Sequence, residues 1–345
     1  MAVFTYGLPA GRINRIKGEM LAYAIPHDVL GIAAQSKSLP KNSGDTIIYR
    51  RWLPFGGTNA NANTINRWIV DPVSHLVQEG VTPAADSLVP QDISVQLQEY
   101  ACLYSFTNKA NEVYEDDVPA AEKQQCGERM GLVRELVRFG VFKAGTNVFY
   151  AGGGATRASV NTRITLNMLR RIAKGLMANH AKMITSVLAP SPNFATAPIE
   201  AAFLVFVHSD CEPDIRDLPG FKHVSEYGSR KPVHELEVGS CERFRFIVSA
   251  ELAPYLNSGA AVGSTGMVGT PNIDVYPFLI VGQNAWGTIA LRGMDSFKMS
   301  AVMPQASAAD PLGQRGYVGA RWYFNAVVLN QGWMAVAECG TTNVQ

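Results

Sequence analysis

NVFYAGGGATRASV, residues 147–160, joins an apolar run to three consecutive glycines, a threonine and an arginine. Two readings compete here. A loop that wraps phosphate would make the chain a nucleotide enzyme, whereas a backbone bend would make it a connector between two parts of a structural protein. A Walker loop ends in Gly-Lys-Ser/Thr, so that lysine reaches the outer phosphates and the hydroxyl binds magnesium. The chain contains no Gly-Lys dipeptide, and a dinucleotide fingerprint would need glycine at 157, where Arg157 stands. Glycine's first use is backbone freedom. The stretch reads as a flexible joint, and its flanks carry the fold.

On the N-terminal side, Asp116 and Asp117 can cap a helix whose first turn suits Pro119. Cys126, Met130, Val133, Val137 and Val141 form a stripe stepping by three and four, with Glu128, Arg134 and Arg138 outside it. From Pro119 to Phe142 such a helix is about 36 Å long at 1.5 Å per residue, the length of a strut. On the C-terminal side, 165–184 reads as a second helix with Leu169, Ile172, Ala173, Leu176, Met177 and His180 on one face. Arg170, Arg171 and Lys174 then form its solvated side.

Further out, the period changes from helical to two. QDISVQLQEYACLYSFT (91–107) places Ile93, Val95, Leu97, Ala101 and Leu103 on one side of a long strand. DTIIYRRWLP (45–54) and TINRWIV (64–70) alternate similarly, with the glycine- and asparagine-rich FGGTNANAN between them. This polar excursion lasts to about Pro90, too long to sit in a compact domain without its own role. Residues 1–44, punctuated by Pro9, Pro26 and Pro40, read as an extended arm. Downstream, 203–207, 243–249 and 275–281 are short strands, and 321–338 reads as a hairpin turning at Asn330-Gln331-Gly332 with Gly332 at positive φ. The elements segregate, which gives an α+β class.

Composition narrows the function classes. The 345 residues can bury roughly 75% of the surface of the unfolded chain. With 30 basic and 29 acidic residues the net charge is +1, so there is no basic field for tight, salt-dependent nucleic-acid binding. A near-neutral wall that merely encloses nucleic acid is compatible with this balance. Five scattered cysteines, none in a CxxC pair, are expected as free thiols in a reducing cytosol. Arg12, Arg15 and Lys17 are followed by mixed polar residues rather than a signal-peptide core, and no apolar run approaches membrane-spanning length. The expectation is a soluble product of the cytoplasm.

Chemical motifs are sparse. HELEV (234–238) begins like a zincin helix, but the second histidine would fall at Val238. VHSDCEPD (207–214) gathers His208, Asp210, Cys211, Glu212 and Asp214 after a strand. Adjacent side chains of an extended segment point to opposite faces, so a helix start capped by Ser209 or Asp210 is the simpler reading than a metal site. No catalytic, cofactor-binding or metal-ligating residue is assigned.

Several segments resemble the major capsid proteins of N-four-like tailed bacteriophages, which have the Hong Kong 97 capsid fold. Glu79-Gly80-Val81-Thr82-Pro83 matches a segment of their extended-loop region. Val148 to Gly152 and Arg157 to Val160 match the stretch after the spine helix, and Thr165 to Leu169 the start of the next helix. Val207-His208 with Asp217-Leu218, Glu237-Val238-Gly239 with Arg243-Phe244, and Tyr276-Pro277-Phe278 through Gly282 to Ala285-Trp286-Gly287 follow in the family's order. The most specific is Asp310 to Gly319, leading to Leu329-Asn330. Ala101 stands where the family often has glycine, Ala320-Arg321 where it often has Trp-Lys, and Ser209 where proline is usual.

The resemblance implies an N-terminal arm at 1–44, an extended loop at 45–90 and a peripheral domain with the spine helix at 91–150. An axial domain at 151–309 and return strands of the peripheral domain at 310–345 complete it. It implies a non-enzymatic subunit, without cofactor, that assembles with itself as hexamers and pentamers of an icosahedral virion shell around double-stranded DNA. It does so in the bacterial host cytoplasm, with a portal, a separate scaffold protein and no membrane. Arg50, Arg51, Trp52, Arg67 and Trp68 are the candidate subunit-interface residues. A tail or decoration protein, or a cytosolic metal-dependent enzyme using the His208–Asp214 cluster, are the alternatives.

In the namesake of that fold, shell subunits become joined through a lysine on the extended loop. Such a bond needs a primary amine, and this chain has no lysine between Lys41 and Lys109. Particles boiled in detergent with reductant should run as one band near 37.4 kDa. A reduction-resistant ladder of multimers would contradict non-covalent locking.

Overall fold

The computed structural model describes residues 28–40, 42–52, 72–82, 89–114, 117–188, 196–228, 231–263, 265–291, 297–306 and 310–344. In chain order, the arm supplies β1 (Gln35–Leu39), and β2 (Thr46–Trp52) and β3 (Pro90–Gln96) form an antiparallel ribbon. Then come β4 (Gln98–Thr107), α1 (Asn108–Val113), α2 (Val118–Lys143), β5 (Val148–Tyr150), α3 (Leu166–Ala178), β6 (Ile184–Leu188), β7 (Thr196–His208) and α4 (Glu212–Arg216). The remaining strands are β8 (Phe221–His223), β9 (Glu237–Cys241), β10 (Phe244–Ser249), β11 (Tyr276–Val281), β12 (Trp286–Leu291), β13 (Phe297–Val302), β14 (Arg315–Val328) and β15 (Met334–Cys339).

The central sheet has eight strands in the order β5-β15-β11-β7-β10-β9-β8, with β6 paired to β7. Its middle strands carry continuous apolar runs, Ala202–Val207 of β7 and Tyr276–Val281 of β11, because both faces are covered. Phe203, Val205 and Val207 of β7 meet Leu169, Ile172 and Leu176 of α3 on one face. Leu204 and Phe206 meet Phe139 and Phe142 of α2, with Val29 and Leu30 of the arm, on the other. Side chains alternate along a strand, so one apolar run serves both cores. Thr165 caps α3, its hydroxyl accepting the Met168 N–H at 3.3 Å.

The second sheet is built on β14. β4 lies along one edge over ten registered pairs, from Arg315↔Thr107 to Phe324↔Gln98. β13 and β12 share the opposite edge, and β1 adds parallel to β12. Cys126, Met130, Val133 and Val137 of α2 pack over Val318, Ala320, Trp322 and Phe324 of β14. The N-terminal half of α2 therefore belongs to this core and its C-terminal half to the central one, where Phe142 meets Trp286 edge-to-face at 4.7 Å. The strut reading of α2 matches this bridging position, and Asp117 caps it as the spacing suggests, accepting the Ala120 N–H at 3.1 Å.

The structure departs from the sequence reading in specific places. Segment 91–107 is two strands that part at Leu97, whose N–H donates to the Asp45 carbonyl. The buried side changes from odd to even positions across that break, so Cys102 and Phe106 face the core while Leu103 is 50% exposed. Segment 321–338 is not a hairpin. A 3-10 turn at Gln331–Trp333 passes the chain from β14 in one sheet to β15 in the other, and Gly332 is absent from the positive-φ residues. Consequently β12 and β13, expected in the axial segment, hydrogen-bond into the β14 sheet, and β15, expected with the return strands, belongs to the central sheet. Arg138, placed outside the apolar stripe of α2, is buried with Glu135. Of the expected arm, residues 1–27 lie outside the described residues, as does the strand expected at 64–70.

The glycine stretch is a bend rather than a phosphate loop. Gly152 and Gly153 take φ of +80° and +77°, which disfavours any side chain there. A Cβ on Gly154 would overlap Ser159, which closes a capping box with Thr156. The bend is packed in place, not a loose joint.

Gly316 is another close approach, because a Cβ there would overlap the Phe106 ring. Gly316→Ala should destabilise the fold by about 1–3 kcal/mol through overpacking, seen as a lower urea midpoint. Phe106→Leu should cost less in the Gly316→Ala background than in the wild type.

Candidate assembly surface

The ribbon of β2 and β3 leaves the body where Tyr49 and Val95 are buried against Ile289 of β12, with Ile47, Ile93 and Leu97 packed around them. Tyr49↔Ile93, Ile47↔Val95 and Arg51↔Gln91 share this inner face by register. The other face carries Ile48, Arg50 and Trp52 opposite Ser94, Asp92 and Pro90. On that outer face Ile48 is 57% and Trp52 56% exposed. Val73, Leu76, Val77, Val81 and Val89, on the connection between the two strands, are exposed as well. Large apolar groups gathered on one excursion mark a surface that another molecule covers.

The charges of the ribbon are partnered within it. Arg50 forks onto Asp92, Nε and Nη2 each donating to a carboxylate oxygen at 2.7 Å. The Arg50 bond holds the Asp92 carboxyl below its usual range. A depressed carboxylate pKa contributes stability above the unfolded value and loses it as pH falls through the folded one. Arg51 donates from Nε to the Gln91 side-chain oxygen at 2.7 Å, and burial pulls its pKa down. Both arginines thus have partners in their own ribbon, while Trp52 stays open. Arg67 and Trp68 lie outside the described residues.

The chemistry-like clusters resolve into framework contacts. His208 itself ends β7 as a cap, its Nδ1 accepting the Asp210 N–H at 3.1 Å, where Ser209 or Asp210 was the expected cap. Asp210 accepts the Tyr276 hydroxyl at 2.9 Å. Asp214 accepts from both Thr341 and Thr342 hydroxyls and from Arg163, which ties the chain's last described residues to α4. Burial raises the Cys211 thiol far above the range of a nucleophile. A cavity of about 550 Å³ lies beside this cluster, lined by Asp210, Glu212, Arg216, Val268 and Thr342, with Glu212 and Arg216 paired to each other. In HELEV, Glu237 is buried and accepts from Arg245 and Tyr227 at 2.7 Å each. Among the described residues, no group of three or more His, Cys, Asp or Glu side chains is placed to hold a metal ion. No helix among them is long and apolar enough to cross a membrane.

Comparison with solved structures finds this arrangement over the whole chain. The capsid subunit of cyanophage Pam1 superposes with a TM-score of 0.61 at 15% identity, covering 100% of both chains. This is a phage capsid fold of the Hong Kong 97 type. The capsid of Ralstonia phage GP4 matches with a TM-score of 0.62 at 10% identity, covering 99% of each chain. The head of Helicobacter pylori bacteriophage KHP40 matches at 0.61 and 11% identity, covering 97% and 95%. In sequence, the major capsid protein of Pseudomonas phage KPP21 is 20% identical across 89% of this chain and 87% of its own. No family model matches. The resemblance read from scattered segments holds at the level of phage major capsid proteins and of the capsid fold.

The β2–β3 ribbon lies within and just after the segment read as the extended loop, and α2 is the helix read as the spine. Sequence reasoning named Trp52 but missed Ile48 and the apolar residues at 73–89. The signal was available, since Ile48 and Trp52 are four apart on one face of a period-two strand. Trp52→Ala should shift the unfolding free energy of the isolated subunit by less than about 0.5 kcal/mol, measured by urea titration, because its ring is half open to water.

Proposed function

We propose that the chain is a major capsid protein that assembles with copies of itself into an icosahedral shell enclosing double-stranded phage DNA. The observation that carries this reading is the whole-chain match. Capsid subunits superpose over 95–100% of both lengths in the three comparisons above, and a major capsid protein aligns over 89% of the sequence. Its role is structural and its place is the virion shell.

The finer points are part of the same proposal. Hexamers and pentamers form by placing the outer face of the ribbon, with Ile48 and Trp52, on a neighbouring copy. Half-exposed aromatic and β-branched side chains supply the buried area of such contacts. Arg50 and Arg51 serve by stiffening the ribbon, given their internal partners, and Arg67 and Trp68 remain candidates on the loop. A net charge of +1 suits a wall that surrounds DNA without gripping it. Assembly in the host cytoplasm with a portal and a separate scaffold completes the reading. Chemistry of its own is not part of it.

Purified protein, alone or with its scaffold, should form pentamers, hexamers or closed shells in negative-stain images and in sedimentation. Trp52→Ala should remain in smaller species under the same conditions while melting like the wild type. A stable monomer throughout the micromolar range with the scaffold supplied would overturn the shell reading. Normal shells from Trp52→Ala would overturn only the role of the ribbon face.

A further inference from the structure

The described part of the arm begins at a buried charge cluster that the shell reading does not use. Glu135, on the fifth turn of α2, is 1% exposed. Its Oε1 accepts the backbone N–H groups of Val29 at 3.1 Å and Leu30 at 2.9 Å. Its Oε2 lies 3.3 Å from Arg138 Nη1, long for a charge-assisted bond. The same Nη1 donates to Asp28 Oδ1 at 2.5 Å, and that oxygen also accepts the Gly31 N–H at 3.3 Å. Three consecutive arm residues, Asp28, Val29 and Leu30, are thereby clamped to one turn of the helix, with Val29 and Leu30 fully buried against the central core.

The charged groups around Glu135 are Arg138 and Arg134 from α2 and Asp28 from the arm. β14 contributes the Phe324 ring, with both guanidiniums 5.3 Å from its centroid, and β6 contributes Ile184 to the same apolar wall. Two carboxylates therefore share one arginine, with Glu135 and Arg138 buried and Asp28 at the edge of the site, its side chain 38% exposed.

We propose that Glu135 and Asp28 form a proton-operated latch that holds residues 28–34 on α2 and releases them as pH rises. With a proton on Glu135, its carboxyl bonds to Asp28, and the pair carries one negative charge against Arg138. Once that proton leaves, a second negative charge stands beside Asp28, and the new charge, on Glu135, is buried away from water. Burial, with the Asp28 charge next, pushes Glu135 up to about 7. Burial alone raises the Asp28 carboxyl too, but Arg138 outweighs it and Asp28 ends below its ordinary value. A group whose folded pKa is raised stabilises fully below its unfolded value, here the ordinary 4.5 of glutamate, and loses that contribution as pH climbs through about 7. The latch stands on these contacts alone and is independent of the shell reading.

The test is amide hydrogen exchange of the full chain, read by mass spectrometry on peptides covering 28–40 and corrected for intrinsic rates. Between pH 5.5 and 8.5 the protection of Val29 and Leu30 should fall about tenfold or more, one pKa unit being a factor of ten. Glu135→Gln, which still accepts from the arm and donates to Asp28 but does not titrate, should keep protection across the range. Asp28→Asn should move the transition to lower pH and make the fall between pH 5.5 and 8.5 smaller than in the wild type, because the negative charge that helps hold the proton on Glu135 is gone. A flat wild-type profile, or a Glu135→Gln profile like the wild type, overturns the proposal. If Glu135→Gln does not fold, Asp28→Asn decides it, and a transition in that variant at the wild-type pH and of the wild-type size is the overturning result.

Discussion

β14 carries the constraint on which the rest of the structure depends. Its fourteen residues pair with β4 on one edge, over 315–324, and with β13 and β12 on the other, over 317–322 and 324–328. One face of the same strand offers Val318, Ala320, Trp322 and Phe324 to α2. The chain then crosses into the central sheet as β15 after a three-residue turn. Two cores are thus joined at two places, by the β14–β15 passage and by α2. Neither sheet is an independent unit in the sense of having its own uninterrupted stretch of chain.

Buried carboxylates in the framework are paired with arginines: Glu135 with Arg138 on α2, Glu338 of β15 with Arg157 of the glycine stretch, and Glu237 with Arg245 on the neighbouring strands β9 and β10. Arg157 forks onto Glu338 with both bonds at 2.7 Å and lays its guanidinium over the Tyr255 ring at 3.4 Å. Replacing such a pair with apolar residues is often neutral, but removing one partner costs about 3–5 kcal/mol by leaving a buried charge. The pairs therefore specify which segments meet more than they add net stability. Glu237 of the zincin-like HELEV and Arg157 of the glycine stretch, two residues that drew attention as chemistry, belong to this framework.

Local sequence signals identified elements well. The α3 stripe of Leu169, Ile172 and Leu176 was legible because one face alone is buried, the strands at 203–207, 243–249 and 275–281 as short apolar runs buried on both faces, and the start of α2 from its Asp117 cap. Periodicity failed where a partner changes. At Leu97 the strand exchanges β2 for β14 as neighbour, and the buried phase shifts by one residue, which no local pattern announces. Arg138 looked solvated because its type is usually exposed, yet the arm folds over it.

By itself the sequence determined the α+β class, the strut helix, the packed apolar strands, and the absence of a Walker or zincin motif. It also carried the capsid resemblance through the order of short segments. Only the tertiary structure decided which sheet each strand joins, that Arg50 and Arg51 are partnered inside the ribbon, and that Ile48 and Trp52 share its open face. The physical reason is range. Helical stripes, caps and alternation are set by neighbours a few residues apart, whereas sheet membership and charge pairing are set by residues such as Asp28 and Arg138 that meet across 110 positions of chain.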